Sequence, residues 1–225
     1  MIAQAFSRFE QMDGLIVLLI IIVIIVIIII AWAAWNQSNQ NQSKNAIING
    51  VVHNLNLLER SWQEATYWTR MLIVEKLNKS GGVSVIRQRL TGIRNNIGKG
   101  YGILIGQDQG KLIAESLIER DNRLCLAIDS LEKGRLVSLD NHDLNQSMID
   151  ALSVVLSTGL NSSDINSHLN GLDNSFKQQV SLLKQGDWEG ALSEFDTAVE
   201  HTYAVSASIG RTINNTAILL TRNKA

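Results

Sequence analysis

From Leu15 to Ile30 every residue is Leu, Ile or Val, and Ala31, Trp32, Ala33, Ala34 and Trp35 extend the charge-free stretch to about 21 residues. As a helix rising 1.5 Å per residue it would be roughly 31 Å long, the thickness of bilayer hydrocarbon. The run is too long for a small core to absorb, so a single transmembrane helix over 15–35 is expected. Trp32 and Trp35 close it, and an indole at the headgroup level keeps its ring in an apolar setting while its N–H reaches water; these two residues are the expected membrane interface. A cleaved signal peptide is the competing reading, since Ala31-Trp32-Ala33 has the small-x-small form. Its apolar region would be too long, however, and the one preceding base, Arg8, is offset by Glu10 and Asp13. With Arg8 before the span and Lys44 after it, the positive-inside bias is close to nil.

The remainder carries helical periodicity. There is no proline to break a helix, and one cysteine, Cys125, which cannot form an intramolecular disulfide and is expected to be an inert buried thiol. Twenty basic and twenty-one acidic residues give a net charge of −1 without blocks of one sign, which argues against a nucleic-acid partner. The polar stretch Asn36 to Ser43 reads as a flexible tether, with the solvated first turns of a helix as the alternative. Ile48, Val51, Leu55, Leu58, Trp62, Ala65, Thr69 and Leu72 then alternate three and four apart, the seam of a bundle helix from about Lys44 to Asn78.

After Ser80-Gly81-Gly82, residues Val83, Ile86, Leu90, Ile93 and Ile97 predict a shorter helix ending in a Gly98-Lys99-Gly100 turn. Ile113, Leu117, Asp121, Leu124, Ile128 and Leu131 mark a third helix over 107–133, its apolar stripe interrupted by Asp121. Leu144, Met148, Leu152 and Val155 mark a short fourth that finishes at Gly159. Asn161 to Asp164 offer capping chemistry to a fifth, with Ile165, Leu169, Leu172, Phe176 and Val180 inward. Trp188, Ala191, Phe195, Ala198, Thr202, Val205, Ile209 and Thr212 are the inward face expected of a sixth. The expected fold is all-α: an anchor, then an antiparallel helical bundle of four long and two short helices. Its divisions are a flank over 1–14, the span over 15–35, the tether over 36–43, the bundle over 44–221 and a tail over 222–225. Asn36, Asn41, Asn78, Asn145, Asn161 and Asn214 begin Asn-x-Ser/Thr triplets, which chance supplies readily in a chain rich in Asn and Ser.

Trp62-x-x-Ala65-x-x-Trp68-Thr69-Arg70-Met71-Leu72-Ile73, followed by Arg89-Leu90, Ile97-Gly98 and Tyr101-Gly102, resembles an uncharacterised family of small all-helical proteins known from bacteria and large DNA viruses. The resemblance covers about 58–213. The family's motif is of the W-x-x-H-V-x-W-T-R type, and its histidine is replaced here by Ala65. Further family histidines align with Asp121, His168 and His201, so the resemblance implies a ligand from each of four helices, the way bundle cores hold metals. Without a histidine at 65, Asp121, His168 and His201 are left as metal candidates. His168 and His201 lie at the edges of their stripes, where an ordinary pKa is expected. Asp121, facing an apolar wall, would need Arg70 or Arg120 as its cation.

Trp62 is expected in the core, whereas Trp68 and Arg70 fall off the stripe and either pack against the shorter second helix or face a partner, which makes them the candidate partner-binding residues. Gly186-Asp187-Trp188 with Phe195-Asp196 is like part of a tetratricopeptide repeat, but no 34-residue period recurs. No nucleophile elbow, phosphate loop, CxxC pair or HExxH is present, so no enzyme and no cofactor are expected. His53 and His142 lie in polar settings. The expected function is a membrane-anchored structural or interaction protein whose partners are the lipid bilayer and a neighbouring protein layer. For the large-virus branch the resemblance implies a minor capsid component of the virion's internal membrane, beside capsid proteins. A sensor-type ligand-binding bundle and a metal-binding bundle are the alternatives.

Overall fold

A computed structural model describes the backbone of residues 2–135, 139–154, 156 and 159–222. Side chains are described for these from residue 25 onward, except at 39–41, 43 and 220–222. Among the described residues there are six helices and no strand. They are α1 (Ile2–Leu77), α2 (Val83–Ile105), α3 (Gln107–Glu132), α4 (His142–Ser153), α5 (Ser162–Gln185) and α6 (Trp188–Arg222). The all-α class expected from periodicity is therefore observed. The chain divides into two compact units, 1–47 and 48–225.

The first unit is helical through the described residues, including 36–43, where a flexible tether was expected. Asn, Gln and Ser are mediocre helix formers, yet with no glycine or proline among them nothing interrupts a helix already nucleated on either side. Ile25 to Ile30, Trp32 and Trp35 are exposed, at 47% or more of their surface. Half of the expected span, 15–24, lies outside the residues whose side chains are described. Among the described residues no helix is long and apolar enough to cross a membrane.

The second unit is the bundle. Leu58, Trp62, Ala65, Thr69 and Leu72 of α1 are all buried, as their spacing predicts. They meet α2 through Trp62, whose indole Nε1 donates to the Tyr101 hydroxyl at 3.1 Å, and α6 through Thr66, whose hydroxyl lies 2.7 Å from that of Thr202. Lys79 takes a positive φ of 55° where α1 stops, ahead of the two glycines expected to break it.

Gly98-Lys99-Gly100 does not end α2. The helix runs on to Ile105 and turns only at Gly106, whose φ of 111° suits glycine. Gly98 instead lies against α3: a methyl group there would sit 2.6 Å from the Gly110 carbonyl oxygen and from the Ala114 Cβ. Gly110 likewise faces Gly98 and Gly102 with no room for a side chain. These glycines let two helix backbones approach closely. With 23 residues, α2 is not short, which leaves α4, at 12, as the one short helix among those described.

On α4, Met148 and Leu152 are buried as expected, and Val155 lies outside the described residues. Asn161 caps α5 by accepting from the Asp164 amide, as its sequence suggests. Trp188 departs from the inward face assigned to it: it is 56% exposed, and the buried stripe of α6 begins at Ala191, one turn later. Cys125 is buried, and burial pushes its thiol pKa up, as befits an inert packing residue.

Candidate functional site

The centre of the bundle is polar. Arg94 on α2 is buried and grips Asp121 on α3 with two hydrogen bonds, Nε to Oδ2 at 3.0 Å and Nη2 to Oδ1 at 2.9 Å. Its Nη2 also donates to the Thr69 hydroxyl at 3.3 Å, which ties the pair to α1. Beside it, Arg120 on α3 bonds Asp173 on α5 at 2.7 Å and the Leu169 carbonyl at 3.2 Å. The other nitrogen of Arg120 donates to Asn145 of α4, whose own amide donates to Asn170 at 2.8 Å. Burial pushes the Asp173 carboxyl upward against the pull of the Arg120 guanidinium, and burial also pushes Arg120 downward. Each guanidinium carries several donors in a fixed fork, so the two pairs join five helices at one level.

Asp121 therefore finds its cation in Arg94, not in Arg70 or Arg120. Arg94 escapes a sequence reading that follows α2 along Val83, Ile86, Leu90, Ile93 and Ile97. It stands four residues after Leu90 and three before Ile97, a register that points inward. Arg120 is three after Leu117 and Asp173 four after Leu169, so the same signal was available for both. A residual void of about 10 Å³ among Trp62, Arg94, Arg120, Asp121, Asp173 and Phe176 has space for roughly one water. The ionic centre is filled by its own partners.

The three expected metal candidates do not come together. Among the described residues no three His, Cys, Asp or Glu side chains are grouped so as to hold a metal ion. Asp121 belongs to the ionic centre, while His168 and His201 meet each other, Nδ1 to Nδ1 at 3.2 Å, where α5 packs on α6. The pKa of His201 is lowered, first by burial and then by the neighbouring His168, so the ordinary value expected at a stripe edge does not hold. Its ring lies over Gly171 in the space a side chain would need.

Trp68 and Arg70 are also engaged within the bundle. Trp68 is half-buried against the core, with the Arg89 guanidinium 5.8 Å from its ring, and the Arg70 guanidinium sits 4.6 Å over the ring of Phe195. Tyr67 packs on the same Phe195 with ring centres 5.2 Å apart. The large aromatic and aliphatic side chains that α6 leaves outside, among the described residues, are Trp188, Leu192, Tyr203 and Leu219. Asn145, one of the Asn-x-Ser/Thr positions, is fully buried in the ionic centre and so is closed to glycosylation in the folded bundle.

No family model matches this chain, and neither a curated protein nor a solved structure shows detectable similarity to it.

Proposed function

We propose that this is a non-enzymatic, membrane-anchored structural protein whose helical bundle engages a neighbouring protein layer. The reading is carried by the row of exposed isoleucine and valine side chains from Ile25 to Ile30, followed by exposed Trp32 and Trp35. Each aliphatic side chain so exposed forgoes up to about 1.5–3 kcal/mol of burial. Hydrocarbon is the environment that recovers this along a whole helix, with the two indoles at its edge. The continuous Leu, Ile and Val sequence back to Leu15 gives the row the length to span. A filled ionic centre with space for about one water supports a scaffold rather than a catalyst.

The resemblance of about 58–213 to the all-helical family supports a specific version, in which the chain is a minor capsid component of the internal membrane of a large DNA virus. Trp188 and Leu192, one turn apart on α6, are apolar and exposed and suit a protein partner better than the engaged Trp68 and Arg70. Membranes from cells expressing the chain should retain it through an alkaline carbonate wash and release it to detergent. Release into the alkaline supernatant would remove the anchor, and with it the proposal. Mass spectrometry of purified virions, before and after removal of their membrane, tests the capsid version.

A further inference from the structure

We propose that two copies of this chain pair through the outer face of α1 in the bundle, with α2 of each copy lying on α6 of the other about a two-fold axis. The proposal rests on the reading of the bundle as a docking protein, and gives the face that carries Trp188 and Leu192 a second copy of the chain as its partner. The even charge balance of the whole sequence hides a division between helices. From Trp188 to Gly210, α6 carries four acids, Glu189, Glu194, Asp196 and Glu200, and neither Lys nor Arg. From Val83 to Ile105, α2 carries Arg87, Arg89, Arg94 and Lys99 and no acid. Arg94 is spent inside on Asp121, but the other three bases are exposed. Among the described residues none of the four acids of α6 takes part in an ion pair.

On both helices the charges border exposed apolar side chains. Glu189, Asp196 and Glu200 share one exposed face of α6, beside the half-exposed row of Trp188, Leu192 and Tyr203. On α2, Val85, Arg89, Gly92, Asn96, Lys99 and Ile103 stand alternately four and three apart and are all exposed, a single stripe turned away from the core. Gly92 has open space where a side chain would stand, and beside it, with Glu64 of α1, runs a groove of about 380 Å³ that can admit an apolar side chain such as Leu192.

The two helices flank α1 on opposite sides and at one level. Arg89 of α2 bonds Glu64 at 2.7 Å and lies 5.8 Å from the Trp68 ring, while Phe195 of α6 meets the Tyr67 ring at 5.2 Å. Between them α1 presents Tyr67 and Met71, one turn apart and both exposed. Turning a second copy through half a revolution about an axis parallel to this stretch of α1, in front of Tyr67 and Met71, brings basic α2 onto acidic α6 twice, because a two-fold axis repeats each contact. Residues keep their level in that operation, so Arg89 comes opposite the turns from Leu192 to Glu200 of the other copy. Setting α2 on α2, or α6 on α6, would bring like charges together.

Oxidative cross-linking of the full-length chain in detergent micelles is the test. Met71→Cys places a thiol close to the axis and should give a disulfide-linked dimer under mild oxidation, since two cysteines bridge only when their Cα atoms come within about 7 Å. Leu126→Cys, exposed on α3, and the unaltered chain, whose Cys125 is buried, should not. Asp196→Lys with Glu200→Lys in the Met71→Cys chain should slow cross-linking at least about tenfold, and adding Arg89→Glu with Lys99→Glu should restore it, a recovery that misfolding does not produce. No dimer with Met71→Cys, an equally fast dimer with Leu126→Cys, cross-linking indifferent to the α6 charges, or no recovery on reversing both sets would overturn the proposal. Retention of the same Met71→Cys chain in carbonate-washed membranes is read separately, so loss of the anchor and loss of the dimer are distinguishable.

Discussion

Trp62 joins the two kinds of interaction that hold the bundle, since its ring is 1% exposed and its N–H is spent on the buried Tyr101 hydroxyl. Trp62→Ala should cost about 3–5 kcal/mol in urea unfolding, and a neutral result would mean that the core lies elsewhere. The Arg120 to Asp173 pair has a different signature. Arg120→Met alone strands a buried carboxylate and should cost about 3–5 kcal/mol, whereas Arg120→Met with Asp173→Leu should recover most of that loss. His201 takes up its proton at lower pH folded than unfolded, so below about pH 6.5 the unfolded chain binds more protons and stability falls as pH drops. That loss should level off below the folded pKa and be absent in His201→Gln, measured as urea midpoints between pH 7.5 and 5. At this scale Trp62 was legible because a large apolar residue on a stripe has one sensible place. Arg94 was not, because a charge between apolar residues reads as solvent-facing until its partner on another helix is known.

Among elements, the α2–α3 pair shows why glycine is ambiguous in sequence. Gly98 and Gly100 stand as close together as turn residues do, and at the level of propensity a helix stop is the natural reading. In the structure Gly98 is helical and serves contact, because Gly110 arrives from α3 at backbone distance. Substitution separates these roles. At a solvated helical position Gly→Ala would stabilise by about 1 kcal/mol, but Gly98→Ala and Gly110→Ala should instead destabilise by about 1–3 kcal/mol through overpacking. Gly92→Ala, on the same helix with open space around it, is the control and should stabilise or be neutral in the same thermal melts. The helical seams themselves were readable in all the bundle helices, since apolar spacing survives without knowledge of the partner. Where α6 starts to be buried was not, because that depends on where its neighbours end, and so Trp188 was placed inside.

For the molecule as a whole, the buried core residues all lie at or beyond Leu58, so residues 48–225 contain every apolar side chain the bundle buries among those described. A chain trimmed to that unit should remain soluble, mainly helical and cooperative in unfolding; strand or disorder in far-ultraviolet dichroism would contradict the fold. The pairing of Thr66 with Thr202 has a consequence for how the protein is made. Their hydroxyls touch across 136 residues of sequence, whereas α2 with α3 and α5 with α6 are joined by short turns. A ribosome adding about 5–20 residues per second needs roughly 7–27 seconds between those two threonines. For the part of that interval after the seam of α1 around Trp62 and Leu72 has left the exit tunnel, α6 is not yet made, and the nascent chain is most in need of a chaperone before its last helix is synthesised.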